Sequence, residues 1–312
     1  MNVSKSLNGA PLTPEQNSLK LEETMNPGRR TFISNSLAAA SFACLMPLGA
    51  CMGTSTKKQP VGFISGVVKN DLEKMDWREV LKKAADMGYT EYEGQNLGES
   101  LPEFKEYCAT LGIKHIAGSV PFVEDMEAVT TKLDELQSLG VPYTVCYYPW
   151  LVQAPFTKAD CEQSAQLLNK IGKLANERGI QLCWHNHEKE FIPMENGALP
   201  FDYLMEHTAQ DLVSLELDLY WATNAGADPL QIINTLKDRI KMLHVKDMEG
   251  GSNQEITCVG KGTINFETLL SAAQKVGIEH FIVERDRAIN GLECLQTAFD
   301  HLSGLDLPNK VS

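Results

Sequence analysis

The sequence predicts an α/β protein built as one single-domain (β/α)8 barrel (TIM barrel). From residue 61 onward, short β-branched or aromatic runs alternate with amphipathic helical stretches about eight times. Four helical stretches end in a glycine just before a strand begins, at Gly88, Gly112, Gly140 and Gly179, as left-handed helix caps do. The length left after residue 60 is close to the ~250 residues typical of one such barrel.

The predicted strands follow one another in regular order, and a helical stretch separates each from the next. The strands are Val61–Ile64, Thr90–Glu93, Lys114–Gly118, Tyr143–Tyr147, Gln181–Trp184, Ser214–Leu217, Met242–Val245 and Phe281–Glu284. The helical stretches are Trp77–Gly88, Pro102–Gly112, Val123–Gly140, Lys158–Gly179, Pro200–His207, Pro229–Asp238, Phe266–Gly277 and Gly291–Leu302. Because no Asn-Gly turn joins one strand directly to the next, the alternation indicates a parallel sheet.

An open, doubly wound sheet is the rival architecture. Sheets of that kind that bind nucleotides carry glycine-rich motifs at the first strand–helix turn. This chain has no GxGxxG after the first predicted strand and no GxxxxGK[ST] at all. The sequence therefore favours the closed barrel.

The first sixty residues differ from the rest of the chain. Residues 1–24 are polar and lack hydrophobic periodicity, so we expect a disordered extension there. In residues 25–51, Arg29 and Arg30 precede an apolar run that carries no charge and is too short to cross a bilayer. This pattern resembles a twin-arginine export signal. Met25 is an alternative to Met1 as the start of translation.

The end of this apolar run resembles a bacterial lipobox. Its sequence is Leu-Gly-Ala-Cys, and Cys51 would carry the lipid anchor. A plain signal peptide cut nearby is the alternative. Residues 52–60 would form a linker and residues 61–308 the barrel. The sequence thus predicts an exported, periplasmic protein, which lipidation would make a membrane-anchored lipoprotein.

Composition and charge exclude several classes of partner. Hydrophobic residues make up 43% of the chain and charged residues 22%, which is enough apolar material for a substantial core. The formal net charge is −13. A surface this acidic repels phosphate backbones, so we expect no nucleic-acid partner and no basic face for anionic membranes. A small-molecule ligand is the better expectation, and nothing indicates an oligomeric state.

The cysteines predict no metal or redox motif. The chain has eight cysteines and no CxxC pair. Besides Cys51 and Cys44 of the export signal, they are spread through strand-like and helix-like segments. We therefore expect buried thiols rather than a disulfide framework. These six are Cys108, Cys146, Cys161, Cys183, Cys258 and Cys294.

Polar side chains follow four consecutive predicted strands. The fifth strand runs into His185, the sixth into Asp218, the seventh carries His244 and the eighth ends at Glu284. Since the active site of such a barrel lies at the C-terminal strand ends, these groups can converge. Mixed imidazole and carboxylate ligands suit Mn²⁺, Co²⁺, Zn²⁺ or Fe²⁺. Any one of these residues alone could cap a helix or form an ion pair, but four in register favour a divalent metal site.

Five segments resemble the sugar phosphate isomerase/epimerase family. They are HNHEKEF (185–191), LELDLYW (215–221), LHVKD (243–247), VGKGTINF (259–266) and IVERD (282–286). This family belongs to the xylose-isomerase-like barrels, together with inosose dehydratases, ketose 3-epimerases and the endonuclease IV fold. The resemblance extends from about Val61 to Leu305.

The resemblance implies a divalent metal held by one ligand from each of strands five to eight, usually Glu, Asp, His and Glu. Asp218, His244 and Glu284 match the last three of these positions. His185 stands where the first Glu would be, and His187 or Glu190 are alternatives for that ligand. In epimerases of this group the fifth- and eighth-strand glutamates also act as opposed acid and base. An imidazole at the fifth strand therefore argues against plain two-base epimerisation.

A metal beside a carbonyl acidifies the adjacent C–H bond. A base can then form an enediolate, which leads to epimerisation, isomerisation or elimination. Glu284, Glu190 and His187 are the candidate bases. Lys246 shares the inward strand face with His244 and would stabilise the enolate oxygen, or form a salt bridge with a neighbouring acid.

Substrate contacts are expected at the mouth of the barrel. Glu93 could hold a sugar hydroxyl, and Trp221 and Tyr147, like Tyr148 and Trp150, could stack on a sugar ring. A rim ion pair and barrel-to-helix packing are the alternatives for these residues.

The expected substrate is an unphosphorylated keto-sugar, 3-keto-glycoside or inosose-like compound. The chain is acidic, and no glycine-rich phosphate loop follows the seventh strand. Elimination and epimerisation rank equally on these grounds. The alternative is a non-catalytic carbohydrate-binding lipoprotein that uses the barrel mouth. Export and acidity both oppose a DNA-repair nuclease.

Overall fold

The computed structural model describes residues 60–308. The predicted extension, the predicted export signal with Cys51 and the linker up to residue 59 lie outside the described residues. Within residues 60–308, no helix combines the length and the hydropathy that crossing a membrane requires.

Eight parallel strands close into a barrel, which confirms the predicted fold class. Within residues 60–308 the ten strands in chain order are β1 (Gly62–Ile64), β2 (Glu91–Glu93), β3 (Lys114–Ser119), β4 (Tyr143–Cys146), β5 (Gln181–His185), β6 (Val213–Asp218), β7 (Ile240–Val245), β8 (Asp247–Met248), β9 (Ile256–Thr257) and β10 (His280–Val283). Round the barrel the order is β1-β10-β7-β6-β5-β4-β3-β2. Because β1 pairs with both β2 and β10, the ring is closed and the open-sheet alternative is excluded. The remaining two strands, β8 and β9, form an antiparallel hairpin.

The eight predicted helices all form and surround the barrel. The described part of the chain has ten α-helices, which are α1 (Lys69–Leu72), α2 (Trp77–Met87), α3 (Leu101–Leu111), α4 (Met126–Leu139), α5 (Lys158–Asn176), α6 (Pro200–His207), α7 (Leu219–Asn224), α8 (Pro229–Thr235), α9 (Phe266–Lys275) and α10 (Gly291–Ser303). Two 3-10 turns span Ser65–Val68 and Glu188–Phe191. Gly88 ends α2 with a φ of 115°, a left-handed conformation that favours glycine. The sequence did not predict α1, α7, the hairpin or the 3-10 turns, because elements this short carry no helical or strand period.

Alternating strand positions separate the apolar core from the polar interior of the barrel mouth. In β6, Leu215 and Leu217 are fully buried members of the hydrophobic core, whereas Glu216 and Asp218 contact histidines of the neighbouring strands. Each such buried leucine contributes about 1.5–3 kcal/mol by leaving water. The period of two therefore lets one strand both hold the fold together and deliver ionisable groups to the mouth.

Asp247 organises the glycine-rich loop that follows the hairpin. Its carboxylate accepts backbone N–H groups from Gly260 at 3.0 Å, Gly262 at 2.9 Å and Ile264 at 3.1 Å. A Cβ atom on Gly262 would collide with this carboxylate, which explains the glycine. The Asp247 side chain thus fixes the conformation of this loop through three backbone hydrogen bonds.

The cysteine prediction needs one correction. Cys258 and Cys294 form a disulfide that joins the end of the hairpin to α10. Their Cα atoms lie 5.3 Å apart although they are separated by 36 positions, so only the fold brings them together. The other four cysteines of the described part are free and buried, as expected; they are Cys108, Cys146, Cys161 and Cys183.

Candidate active site

The four side chains that the sequence nominates as metal ligands meet at the C-terminal mouth of the barrel. His185 ends β5, Asp218 ends β6, His244 lies in β7 and Glu284 directly follows β10. One donor atom of each lies within 4.8 Å of the donor atoms of the others. We call these four residues the ligand cluster. The register of β6 against β7 contributes to this meeting, because it pairs Asp218 with His244.

The ligand cluster is almost completely shielded from solvent. His185 is 2% exposed, Asp218 and His244 are fully buried, and the side chain of Glu284 is 12% exposed. His185 Nε2 lies 3.6 Å from Asp218 Oδ2, and His244 Nδ1 lies 2.7 Å from Glu284 Oε2. Glu284 is therefore the member most accessible from the mouth.

The two oxygens of Asp218 have different surroundings. Oδ1 accepts the backbone N–H of Trp221 at 2.7 Å and so begins α7. Oδ2 is buried and accepts no hydrogen bond from the described residues, and it faces His185 Nε2. Asn186 holds the backbone in place, since its Oδ1 accepts the Asp218 N–H at 2.9 Å. One carboxylate oxygen thus supports the fold, and the other faces the ligand cluster, where it accepts no hydrogen bond from the described barrel but lies 3.2 Å from the ammonium of Lys246.

The cluster and its surroundings fit a divalent cation. Nitrogen and oxygen donors in this mixture suit Mn²⁺, Co²⁺, Zn²⁺ or Fe²⁺. Around it lie more buried carboxylates than buried ammonium groups, and buried charge of one sign is costly unless it is compensated. The carboxylates are Glu93, Glu216, Asp218 and Glu284, and the ammonium is Lys246.

Burial and neighbouring charges shift the pKa values of the cluster. Burial lowers the pKa of His185 well below its ordinary value, which favours the neutral imidazole that a metal ligand requires. Burial raises the pKa of Asp218 to about 6, although Lys246 acts in the opposite direction. Burial alone would also raise the pKa of Glu284, but Lys246 and His244 hold it well below its ordinary value.

Lys246 lies beside the cluster with its charge fully buried. Its Nζ is 3.2 Å from Asp218 Oδ2, 2.8 Å from Glu284 Oε2 and 3.0 Å from Asp286 Oδ2. Burial alone would lower the pKa of Lys246, but Asp218 and Glu284 raise it above its ordinary value. The salt bridge, which the sequence left as the alternative to a role at the enolate oxygen, is therefore present, and the ammonium also lies in the predicted inward position. A fixed positive charge stands next to the candidate metal position.

A second layer of carboxylates lies against the cluster, and the sequence nominated only part of it. Glu216 Oε2 is 2.9 Å from His185 Nδ1, and Glu216 Oε1 is 3.2 Å from His244 Nε2. Burial and the Glu93 carboxylate raise the pKa of Glu216 well above its ordinary value. The signal for Glu216 was present, since it lies two positions before Asp218 and so on the same strand face.

Glu93 and Tyr147, both expected to contact substrate, belong to this second layer instead. Glu93 is fully buried, and its Oε1 lies 3.2 Å from His244 Nε2. The Tyr147 hydroxyl donates to the same oxygen. Because Glu93 is fully buried and in contact with His244 and Tyr147, a direct contact of Glu93 with a sugar hydroxyl does not fit this geometry.

A cavity of about 880 Å³ opens beside the ligand cluster. Its wall includes His187, Trp221 and Asp286, and Asp286 contacts Lys246. Lys246 Nζ also lies 5.4 Å from the centre of the Trp221 ring. The cavity therefore adjoins the charged groups at this end and provides space for a substrate.

His187 and Glu190 line this cavity rather than join the ligand cluster. The His187 ring stacks on Tyr148 at 4.5 Å between ring centres. Glu190 Oε2 accepts the backbone N–H of His187 at 2.7 Å, and its Oε1 accepts the indole N–H of Trp150. Burial raises the pKa of Glu190 to about 7. Both oxygens of this candidate base are already hydrogen-bonded, so Glu190 chiefly connects two loops of the mouth.

Comparison with known proteins agrees with this fold. The chain belongs to the xylose isomerase-like TIM barrel family, whose profile matches residues 81–302. It is 31% identical over 144 residues to an inosose dehydratase of Lacticaseibacillus casei, a match that covers 41% of this chain and 47% of that protein. The chain thus spans about half the length of the curated relatives it matches.

Two solved structures illustrate the likeness in three dimensions. A sugar phosphate isomerase/epimerase from Parabacteroides distasonis superposes with a TM-score of 0.70 at 20% identity, covering 84% of this chain and 99% of that one. The IOLI protein with a binding zinc atom gives a TM-score of 0.64 at 19% identity, covering 78% and 96%. At these identities the likeness establishes the fold alone.

Proposed function

We propose that this protein is a divalent-metal-dependent enzyme that removes a proton next to the ketone of an unphosphorylated, sugar-like substrate. The proposal depends above all on one observation, the convergence of His185, Asp218, His244 and Glu284 beside the buried Lys246. The adjoining cavity supplies room for a small polyhydroxylated molecule. The zinc-bound IOLI neighbour supports a divalent metal in this fold.

When bound, the metal would polarise the ketone and so acidify the neighbouring C–H bond. The four residues of the ligand cluster would hold it. Lys246 contributes a fixed positive charge near the oxygen that gains electron density, as preorganised charges do in such reactions. Burial of the cluster excludes water and strengthens these electrostatic interactions.

Glu284 is the best-placed base among the candidates. It is the most accessible member of the ligand cluster, and because Lys246 and His244 hold its pKa well below its ordinary value, its carboxylate is ionised and can accept a proton. His187, which lines the cavity next to Trp221, is the second candidate. Glu190 is less suitable because both of its oxygens are occupied.

We favour elimination over epimerisation as the outcome. In the elimination, the base takes the C–H proton and that electron pair becomes a C=C bond. The C–O bond at the next carbon breaks, its electrons leave with the oxygen, and the oxygen takes up a proton. A two-base epimerisation would use an opposed carboxylate at the fifth strand, where this chain has His185. Curated relatives that match include inosose dehydratases, which also supports loss of an oxygen substituent.

The glycine-rich loop supports an unphosphorylated substrate. In phosphate-binding loops the backbone N–H groups point at the ligand. Here the N–H groups of Gly260, Gly262 and Ile264 donate to Asp247. They are therefore not available to a phosphate group.

Deuterium exchange tests this function. The metal-loaded protein is incubated in D₂O with a panel of keto-sugars, inososes and 3-keto-glycosides, and the products are followed by NMR and mass spectrometry. Loss of water or of an attached group supports the lyase. Deuterium next to the ketone without a net change supports the epimerase or isomerase. Binding without exchange or product would overturn the enzyme and favour a carbohydrate-binding protein.

We also propose that the protein is exported and that a lipid is attached to Cys51. The proposal rests on Arg29, Arg30 and the segment ending at Cys51. Cell fractionation with labelled palmitate, comparing the full chain with a Cys51→Ala variant, tests it. Equal labelling of both forms would contradict the lipid anchor.

A further inference from the structure

The cavity beside the ligand cluster is larger than one sugar ring requires. Its volume is about 880 Å³, whereas pockets of about 300–1,000 Å³ hold drug-sized ligands of several rings. Its charged end adjoins Lys246 through Asp286 and Trp221. A keto-sugar at that end would leave a considerable part of the cavity unfilled.

The remaining wall is aromatic and aliphatic. Tyr148, Trp150, Val152 and Phe156 all come from the loop between β4 and α5 and line the cavity. Tyr148 is 67% exposed and Val152 is 43% exposed, so this wall extends from the cavity to the protein surface. We call these four residues the aromatic wall. Contiguous apolar surface that lines a groove often marks a ligand-binding site.

Hydrogen bonds and stacking hold the aromatic wall in position. Trp150 stacks on Phe156 with ring centres 3.6 Å apart and planes 10° from parallel. The Trp150 indole N–H donates to Glu190, whose other oxygen accepts the N–H of His187. The wall is thereby tied to the loop after β5, which leads directly from His185. A surface that is already ordered loses little conformational entropy when it binds a ligand.

We propose that the aromatic wall is a subsite for a second ring, so that the substrate is a two-ring glycoside rather than a free monosaccharide or inosose. Aromatic side chains bind the flat apolar face of an aryl group or of a pyranose, and the aliphatic Val152 extends that surface. This inference rests on the proposed function, since it places the reacting sugar at the ligand cluster. In the elimination, the second ring would then belong to the group that leaves.

Binding of unreactive glycosides tests the subsite without requiring turnover. Methyl β-glucoside, phenyl β-glucoside and cellobiose are titrated by calorimetry into the metal-loaded full-length protein. We expect phenyl β-glucoside or cellobiose to bind at least tenfold more tightly than methyl β-glucoside. The tighter of the two identifies the second ring as aryl or as pyranose. Equal affinities for the three probes, or no binding of the two-ring probes, would overturn the proposal.

Matched surface variants separate the subsite from general surface hydrophobicity. Tyr148→Ala and Val152→Ser alter exposed residues of the aromatic wall, so neither change is expected to disturb folding. Their controls are Ile289→Ala and Ile192→Ser, which are 77% and 42% exposed and do not belong to the wall. The two wall variants should lose most of the tenfold preference, and the controls should keep it. Loss of the preference in the controls as well would overturn the assignment.

The outcomes distinguish this inference from the proposed function. If the two-ring preference holds but deuterium exchange fails, the chain is a glycoside-binding protein with this subsite. If exchange occurs on keto-sugars but the preference is absent, the enzyme acts on single-ring substrates and the subsite is wrong.

Discussion

Glu216 Oε2 lies 2.9 Å from His185 Nδ1, and this contact determines which imidazole nitrogen faces the ligand cluster. With Nδ1–H donated to Glu216, the lone pair of Nε2 points toward Asp218 Oδ2, 3.6 Å away. Carboxylates that accept from a ligating histidine fix its tautomer and orientation in metal sites generally. The candidate ligand at the fifth strand is thus a histidine with a carboxylate behind it, where the family resemblance implies that a glutamate is usual.

Removing this carboxylate should weaken metal binding. We expect Glu216→Leu to lower affinity about 10–100-fold, the usual cost of losing such an outer partner, because His185 can then rotate and change tautomer. Competition titration with a chromophoric zinc chelator measures the change. Glu91→Leu is the matched control, since Glu91 accepts from His280 at 3.0 Å elsewhere in the barrel. Equal losses in both variants would contradict the assigned role.

Asp218→Asn should abolish stoichiometric metal binding while leaving the fold intact. The amide oxygen of Asn can still accept the Trp221 N–H that begins α7, but the variant lacks the negative charge that the metal requires. Elemental analysis after dialysis measures the bound metal, and circular dichroism checks that the fold is intact. Asp228→Asn, at the start of α8, is the control and should keep its metal. Full metal content in the Asp218 variant would rule it out as a ligand.

Lys246→Met should reduce turnover far more than metal content. The methionine keeps much of the side-chain volume but removes the charge that faces Asp218, Glu284 and Asp286. Loss of one preorganised charge typically lowers kcat about 10²–10³-fold. To check this, kcat is measured on the substrate identified by deuterium exchange, and the metal content of the same samples is measured as well. Lys241→Met is the control, since Lys241 lies in β7, and this variant should retain the normal kcat. An unchanged kcat in Lys246→Met would show that Lys246 has no role in the reaction.

The disulfide should stabilise the folded chain. Replacing Cys258 and Cys294 together by serine is expected to lower the free energy of unfolding by about 2–4 kcal/mol, because the crosslink restricts the unfolded chain. Urea titration measures the difference. A reductant should bring the wild-type protein to the stability of the double variant and leave that variant unchanged. Equal sensitivity of both proteins to the reductant would show that the bond is absent.

Glu190 should make stability fall as the pH rises. Burial raises its pKa from 4.5 to about 7 in the folded protein, so the folded chain binds more protons than the unfolded chain between these values. Its contribution is therefore fully present below pH 4.5 and is lost as the pH rises through 7. Relative to Glu190→Gln, the wild-type protein should lose up to about 3 kcal/mol over this interval. Urea titrations at several pH values check this, and a constant difference would contradict it.

Much of this protein could be predicted because its information is local. The eight strands and the main helices follow from hydrophobic periodicity and from glycines such as Gly88 and Gly112. The four candidate ligands and Lys246 could be nominated because every parallel strand of a closed barrel delivers its C-terminal residue to the same end. Once the fold class is known, position at a strand end is enough to place His185, Asp218, His244 and Glu284 near one another.

Residues whose roles depend on a particular neighbour could not be placed in this way. Glu93 was expected to hold a sugar hydroxyl or to form an ion pair at the rim, but its carboxylate is fully buried and lies 3.2 Å from His244 Nε2 inside the barrel. Glu190 was one of three candidate bases, and the sequence could not show that its two oxygens accept hydrogen bonds from Trp150 and His187 and so connect two loops. The pairing of Cys258 with Cys294 was not expected at all.

The sequence by itself determined the closed barrel, its strand order along the chain and the group of residues that meet at its mouth. Only the tertiary structure decided which oxygen of Asp218 faces the cluster, which carboxylate stands behind His185, and how large a cavity adjoins them. The physical reason is that periodicity records which face of an element is buried. Contacts across the barrel, between loops and within a disulfide depend on distances that no single segment of the chain encodes.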